Sequence, residues 1–297
     1  MIVVFGSINL DLIFPLPAIP RAGETLLAPG IRIEPGGKGA NQAVAAARDG
    51  AQVVMAGTVG RDALAAGALE LLRAAGIDLS RVIEADTATG CAAIFVDPQG
   101  ANAIGVASGA NLAARATQVE DGLLGPATTL VLQMEVTAAE TAVLIHRARG
   151  RGARIILNLA PAAPIDLAAL RALDLLVVNE TEAAWLGDHL GCGTGASALR
   201  ATLGIDVVRT LGEDGADVAT AAGVQRVPAR RITPVDTTAA GDCFVGVLAA
   251  ALDRGASLSA ALTRASASAA LCCTRAGSQS SLPTSTETDA LLEALPE

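Results

Sequence analysis

Short β-branched apolar runs alternate with alanine-rich stretches of helical period along most of this chain, and that alternation constrains its fold more than any other feature. Runs separated by a whole helix are too far apart for tight hairpins. Each helix must instead cross the sheet and return the next strand parallel to the last. Strands are expected over residues 2–5, 52–56, 130–133, 154–158, 175–178 and 206–210. Helices are expected over 39–49, 62–75, 138–149, 180–186, 196–203, 240–253 and 258–273.

Two regions interrupt the alternation. Residues 12–35 and 82–106 carry strand-like runs at 25–27, 31–33, 92–96 and 102–106, separated by turn signals such as Asp97-Pro98-Gln99-Gly100. They read as a small second sheet projecting over the main one. No linker, internal repeat or low-complexity tract divides the remainder, so residues 1–297 are expected to form one α/β domain. The Ser/Thr-rich stretch 278–288 reads as a surface connection before a last short helix.

Composition then removes whole classes of chemistry. A net charge of −9 and 2% aromatic content exclude a nucleic-acid binder, which needs a basic footprint and stacking platforms. Mean hydropathy is +0.48, yet the longest strongly apolar stretch, 243–252, is closed by Asp253 and falls far short of the ~20 residues that span a bilayer. The opening residues lack a charged leader and a small-residue cleavage site, so they read as a buried strand of a cytoplasmic protein. Five cysteines without a CxxC pair, and only two histidines, leave no Cys/His metal cluster. The cysteines read as reduced core thiols. Acid–base work must therefore fall to carboxylates.

Four segments exceed what packing needs. Gly36-Gly37-Lys38-Gly39-Ala40-Asn41 turns sharply into a helix whose free N–H groups face outward, while Lys38 and Asn41 add donors for hydroxyl or anionic oxygens. It is no Walker A loop, because Gly39 follows the lysine where Ser or Thr is required. Asp236-Thr237-Thr238-Ala239-Ala240-Gly241-Asp242 leaves the N–H groups of the next helix uncovered beside a first-turn carboxylate. An anion hole next to an ionised carboxylate suits phosphoryl transfer to a hydroxyl, with Asp242 as the base. Asn179-Glu180-Thr181-Glu182 has the spacing of a helix capping box. It also stands at the strand end where α/β folds bind ligands, and there it could orient hydrated Mg²⁺. Thr210-Leu211-Gly212-Glu213-Asp214-Gly215 suits a nucleotide or a hairpin turn equally. One decoy is set aside: Gly191-Cys192-Gly193-Thr194-Gly195-Ala196 fits the loose dinucleotide pattern but follows a helix instead of a strand.

In this order and spacing the segments resemble the ribokinase-type carbohydrate kinases of the phosphofructokinase-B-type superfamily. The resemblance runs from Gly6-Ser7-Ile8-Asn9-Leu10-Asp11 to Arg275-Ala276-Gly277, and GSINLD, GGKGAN, NETE and DTTAAGD are nearest the ribokinase branch. It implies a three-layer α/β sandwich with a mostly parallel central sheet and a β-sheet lid, formed here by about 12–35 and 82–106. It implies ATP-dependent phosphorylation of a sugar hydroxyl, the 5-hydroxyl of D-ribose in that branch. Asn9, Asp11, Gly37, Lys38, Gly39, Asn41 and Glu135 would hold the sugar, and Asp242 would be the base beside an anion hole of Ala239, Ala240 and Gly241. Asn179, Thr210, Gly212, Gly215, Gly241 and Ser266 would serve ATP, with Glu182 reaching Mg²⁺ through water. Asp236, Thr238, Cys272, Arg275, Gly277 and Ser281 would form a K⁺ site built largely from carbonyls. Ser266 departs from the Asn or His common near the adenine in such kinases, which bears on nucleotide preference.

Apolar residues on an outer face of the small sheet, Leu12, Phe14, Ile31 and Ile33, predict a homodimer through it. Two rivals share the motifs. A kinase for another furanose or a nucleoside is one, although a nucleobase wants an apolar or aromatic surface and only Phe5, Phe14, Phe95, Trp185 and Phe244 are aromatic. A non-catalytic sugar sensor on the same fold is the other, and it would have no use for a base beside an anion hole.

Overall fold

The computed structural model describes residues 1–99 and 101–294; Gly100, the last residue of the expected turn, and residues 295–297 lie outside it. The chain opens with β1 (Ile2–Phe5), continues through β2 (Asn9–Pro15) and β3 (Arg32–Gly36), and enters α1 (Lys38–Arg48). Then come β4 (Val53–Gly60), α2 (Ala63–Ala68), α3 (Glu70–Ala74), β5 (Asp78–Ala85), β6 (Gly90–Val96) and β7 (Asn102–Ala107). The alternation resumes with β8 (Thr129–Leu132), α4 (Ala138–Arg151), β9 (Arg154–Asn158), α5 (Leu167–Arg171) and β10 (Leu175–Val178). It ends with α6 (Glu180–Leu190), α7 (Ala196–Leu203), β11 (Asp206–Thr210), β12 (Ala216–Thr220), β13 (Gly223–Val227), α8 (Ala240–Asp253), α9 (Leu258–Cys273) and α10 (Ser285–Glu293).

Nine strands form one sheet in the order β13-β12-β11-β10-β9-β8-β1-β4-β5, parallel except for the antiparallel β11-β12-β13 edge. Alternate residues feed two separate cores. Val3, Phe5, Leu130, Leu132, Ile155 and Leu157 join Leu144, Ile145, Leu186 and Leu199 on one side. Ile2, Val4, Met55, Val131 and Ile156 join Val44, Leu248, Leu262 and Cys272 on the other. Strands buried on both faces read as unbroken apolar runs, which is why the sequence shows them so clearly. All five cysteines are free thiols.

Four further strands make a small mixed sheet in the order β3-β2-β6-β7. It springs from the C-terminal end of β1, so it stands over the carboxyl edge of the large sheet. Register places Asn9 opposite Gly36 and Asp11 opposite Glu34, and the pleat puts these four on one face.

Three local expectations are corrected. Residues 25–27 are not a strand: Leu27 is 87% exposed, Pro29-Gly30 follow, and pairing begins only at Arg32. Residues 82–85 belong to the large sheet, where Val82 to Ala85 pair with Gly57 to Gly60 as the end of β5. The helix expected over 62–75 is interrupted at Leu69, two residues after Gly67, a poor helix former.

The parallel strands bring the ends of β1, β8, β9, β10 and β11 to one edge. The chain reverses its direction of travel across the sheet between β1 and β8, the kind of crevice in which open α/β sheets bind ligands.

Candidate active site

Glycines fit the start of α1 against the turn that follows β1. Gly37 has φ of 88°, and a Cβ there would meet the Asn9 nitrogen at 2.8 Å. A Cβ on Gly39 would stand 2.6 Å from the Ser7 nitrogen. The close approach these glycines permit is thus to the chain's own backbone, and it fixes Lys38 in place. The Lys38 N–H donates to Glu135 Oε2 at 3.0 Å, and the Ser7 hydroxyl donates to the same oxygen at 2.5 Å. Among the acids near Lys38, Asp242 pulls its pKa up most, and Glu135 and Glu182 add to that against burial. The chain's only lysine is therefore held as a cation among three carboxylates.

Asn9 and Asp11, on one face of β2, are both buried. Asn9 Oδ1 accepts from Asn111 Nδ2 at 2.7 Å, and Asn111 Oδ1 in turn accepts the Ile8 N–H at 2.9 Å. Asp11 Oδ1 is buried with no hydrogen-bond partner. Burial, then the charges of Glu135, Glu34 and Asp242, push the Asp11 carboxyl up to about 7. Gly36 leaves it room, since a Cβ there would lie 2.1 Å from Asp11 Oδ2. A buried acceptor without a donor, on the same strand face as the Asn9 amide, is suited to a polyhydroxyl ligand.

Asp242 sits in the first turn of α8, 6% exposed. Its Oδ2 accepts from Asn41 Nδ2 and its Oδ1 from Gln42 Nε2, each at 2.9 Å. This meeting depends on how closely α1 and α8 pack. Gly246, one turn beyond Asp242, would place a Cβ only 2.4 Å from the Gln42 carbonyl oxygen. Ahead of Asp242, Ala239 has φ of 59°, the only positive φ of a non-glycine among the described residues. The Ala240 N–H turns back to the Thr237 carbonyl at 3.3 Å, whereas those of Gly241 and Asp242 have no acceptor among the described residues. A Cβ on Gly241 would meet nothing within 4 Å. Open donors beside an oriented carboxylate can bind an anion and accept a proton from a neighbouring hydroxyl.

The capping box at α6 is formed: Asn179 Oδ1 accepts the Glu182 N–H, and Glu182 Oε2 accepts the Asn179 N–H, both at 2.8 Å. Burial raises the Glu182 pKa, the Asn179 N–H and Lys38 lower it, and Asp242 raises it again. Glu182 therefore belongs to the cap and to the Lys38–Asp242 field together. The Thr210 hydroxyl donates to the Val178 carbonyl at 3.4 Å, just ahead of Asn179. Leu211–Gly215 make the β11–β12 hairpin connection, with positive φ at Gly212 and Gly215. Ser266 on α9 donates to the Pro228 carbonyl at 3.4 Å, beyond the end of β13.

Most of the residues expected to hold K⁺ also come together. Burial opposes ionisation of Asp236, but the Thr238 hydroxyl and N–H and the Gly277 N–H hold its carboxyl below the usual range. The N–H bonds measure 2.9 and 3.1 Å. The Cys272 thiol lies 3.7 Å from the Thr238 carbonyl and 3.0 Å from the Ser281 hydroxyl. The Arg275 side chain turns away, 2.6 Å from Glu287, so only its backbone faces the group. Among the described residues no cluster of His, Cys, Asp and Glu can ligate a metal directly.

Sequence reasoning missed Ser7, Gln42 and Asn111, which hold Glu135, Asp242 and Asn9, and Gln133 and Asn158, which hold Gln42. Ser7 lay in the GSINLD run without a role, and Gln42 stood beside Asn41, but adjacent helical residues point ~100° apart, so spacing gave no reason to aim both amides at Asp242.

A first-turn carboxylate beside open helix N–H groups, at the switch of an open α/β sheet with a small second sheet above it, has the parts that a phosphoryl-transfer fold needs. The sequence profile of the pfkB family carbohydrate kinases matches residues 1–285, and the chain belongs to that family. It is 34% identical to a ribokinase of Haemophilus influenzae over 299 residues, covering 98% of this chain and 97% of that one. It is 35% identical to a deoxyribokinase of Salmonella typhi over 294 residues, 95% of each. Its fold superposes on the ribokinase of Arabidopsis thaliana complexed with ribose and ATP with a TM-score of 0.88, at 28% identity and 99% coverage of both chains.

Proposed function

We propose that this chain is an ATP-dependent ribokinase that transfers the γ-phosphoryl group of ATP to the 5-hydroxyl of D-ribose. The observation that carries the reading is Asp242, pinned by two amides beside open helix N–H groups. Asn9, Asp11, Gly37, Lys38, Gly39, Asn41 and Glu135 hold the sugar. Asp242 takes the hydroxyl proton as that oxygen bonds to the γ-phosphorus, and the bond from phosphorus to the β–γ bridging oxygen breaks to release ADP. The N–H groups of Ala239, Ala240 and Gly241, of which only that of Ala240 has an acceptor among the described residues, stabilise charge on the transferred group.

Asn179, Thr210, Gly212, Gly215 and Ser266 serve the nucleotide. Glu182, with Oε1 accepting nothing from the described residues, fits a water of hydrated Mg²⁺, which would supply charge neutralisation on the phosphates. Asp236, Thr238, Gly277, Ser281 and the carbonyls of Cys272 and Arg275 fit K⁺, because they offer oxygen donors throughout. Residues of the small sheet act as a lid and as the surface of a homodimer. The net charge of −9, and the lack among the described residues of a helix long and apolar enough to cross a membrane, support a cytoplasmic enzyme whose ligands are small molecules.

The deoxyribokinase, at 35% identity against 34% for the ribokinase, favours one second reading, a preference for 2-deoxyribose. A coupled ADP-release assay with ribose, 2-deoxyribose, fructose, adenosine and cytidine separates them: ribose should give the highest kcat/KM, and nucleoside turnover without ribose turnover overturns the assignment. Asp242→Ala should lower kcat by at least ~10²-fold with ribose affinity little changed, and near-normal turnover removes Asp242 as the base.

A further inference from the structure

We infer that Gln42 is a positioning residue for phosphoryl transfer: it locks the carboxylate of Asp242 in the orientation that accepts the sugar proton, and Gln133 locks Gln42. The inference rests on the reading of Asp242 as the base. Gln42 is wholly buried on α1, and every hydrogen-bonding atom of its amide is engaged. Its Nε2 donates to Asp242 Oδ1 at 2.9 Å and to Asn158 Oδ1 at 3.1 Å. Its Oε1 accepts from Gln133 Nε2 at 2.6 Å. A flipped amide would set oxygen against the Asp242 and Asn158 oxygens and NH₂ against the NH₂ of Gln133. Three good contacts would become three repulsive ones, so only one orientation is allowed.

The consequence for Asp242 is geometric. With Asn41 on Oδ2 and Gln42 on Oδ1, the carboxylate plane is held at both ends. Each oxygen has about two acceptor sites and gives one to an amide, so one remains on each for the incoming hydroxyl. Rotation about the terminal torsion is otherwise broad for Asp. Removing the Gln42 donor frees that rotation without touching any residue assigned to the sugar.

Two glycines show that the fold is built around this relay. Gly246 lets α8 approach the backbone of Gln42, and Gly6 makes room for Gln133, whose Oε1 would lie 1.9 Å from a Cβ on residue 6. Gln133 Oε1 itself is buried without a partner. A side chain kept in place by one hydrogen bond, with its other polar atom unpaired, makes poor sense as core filling.

The test is a double-mutant cycle in steady-state kinetics on Gln42→Leu, Gln133→Leu and the pair, with ribose and ATP titrated separately. Leucine keeps most of the volume and removes the hydrogen bonds. Gln42→Leu should lower kcat about 10–100-fold with the ribose KM within about twofold, on the scale of mispositioning a general base. Gln133→Leu should lower kcat about 3–10-fold, and the pair should be no slower than Gln42→Leu alone, because a relay is non-additive. Unchanged kcat in Gln42→Leu, a change confined to KM, or losses that multiply in the pair each overturn the inference while wild-type turnover leaves the kinase reading standing. A wild-type protein that phosphorylates neither sugar nor nucleoside overturns both. If Gln42→Leu does not fold, Gln133→Leu decides alone: normal kcat there refutes the relay.

Discussion

Asp11 is 7% exposed on the floor of the small sheet, and burial together with Glu135, Glu34 and Asp242 raises its pKa to about 7. Its folded pKa is above the ordinary carboxylate value, so between about pH 4 and pH 7 the folded state binds more protons than the unfolded one. The stability this group contributes is therefore present in acid, is lost as pH rises toward 7, and stays lost above it. Asparagine has the same shape and cannot ionise. Asp11→Asn should thus be no more stable than wild type near pH 4 and more stable at pH 8 by on the order of a few kcal/mol, given about 1.4 kcal/mol per pKa unit. Thermal melts of both proteins across that range measure it, and a difference that does not change with pH excludes a buried, strained charge. The same variant should bind ribose about 10–100-fold more weakly, the usual cost of losing a charged hydrogen bond. At this scale the sequence was legible where residue type and motif agreed, as for Asp11, Lys38 and Asp242. It was silent about Gln133 and Asn158, ordinary strand-end residues until the fold sets them behind the base.

Helices and strands show a different limit. The expected spans for β1, β9, β10, β11, α7, α8 and α9 match the structure residue for residue, because double-sided burial and alanine-rich periodicity leave no competing pattern. β5 was missed: Asp78, Arg81 and Glu84 break its apolar run, as an edge strand with one wet side permits. The β12–β13 hairpin was missed because Ala216–Thr220 is small and polar, and its pairing is set by the neighbouring β11. What no pattern discloses is the distance between helices, and here that distance sets the chemistry. Gly246→Ala would drive a Cβ to 2.4 Å from the Gln42 carbonyl, a backbone atom that cannot step aside. α8 must then move away from α1, carrying Asp242 from Asn41 and Gln42. Overpacking of this kind costs roughly 1–3 kcal/mol. The variant should melt at lower temperature and also lose kcat about tenfold or more at a temperature where it is fully folded. A lowered melting temperature with unchanged kcat would show that Asp242 does not depend on the spacing of the two helices.

For the molecule as a whole, the open question of assembly lies in the small sheet. Ile33 is 58% exposed, as its outer-face position predicts, and Ile31, just ahead of β3, is 47% exposed, whereas Leu12 and Phe14 are half-buried, with Phe14 5.6 Å from Phe95. Ile104 and Val106 are 56% and 51% exposed, but register through Ala92 puts Val106 on the Asp11 face, and Ile104 shares it. The sheet therefore offers apolar side chains on both faces, and the two should do different work. Ile104 and Val106, sharing the Asp11 face, are expected to cover the carbon face of a bound sugar. Ile33, with the unpaired edge of β3, faces away and is the surface a second copy would cover. Light scattering at micromolar concentration should find a dimer for wild type and a monomer for Ile33→Glu, whose ribose KM should change only modestly. Ile104→Glu should raise the ribose KM by about tenfold or more through lost apolar cover and added repulsion from Asp11 and Glu135. A wild-type monomer would leave Ile33 as an isolated exposed residue of no consequence. A dimer broken by Ile104→Glu and not by Ile33→Glu would place the interface on the sugar side of the sheet, with each copy roofing the other's crevice.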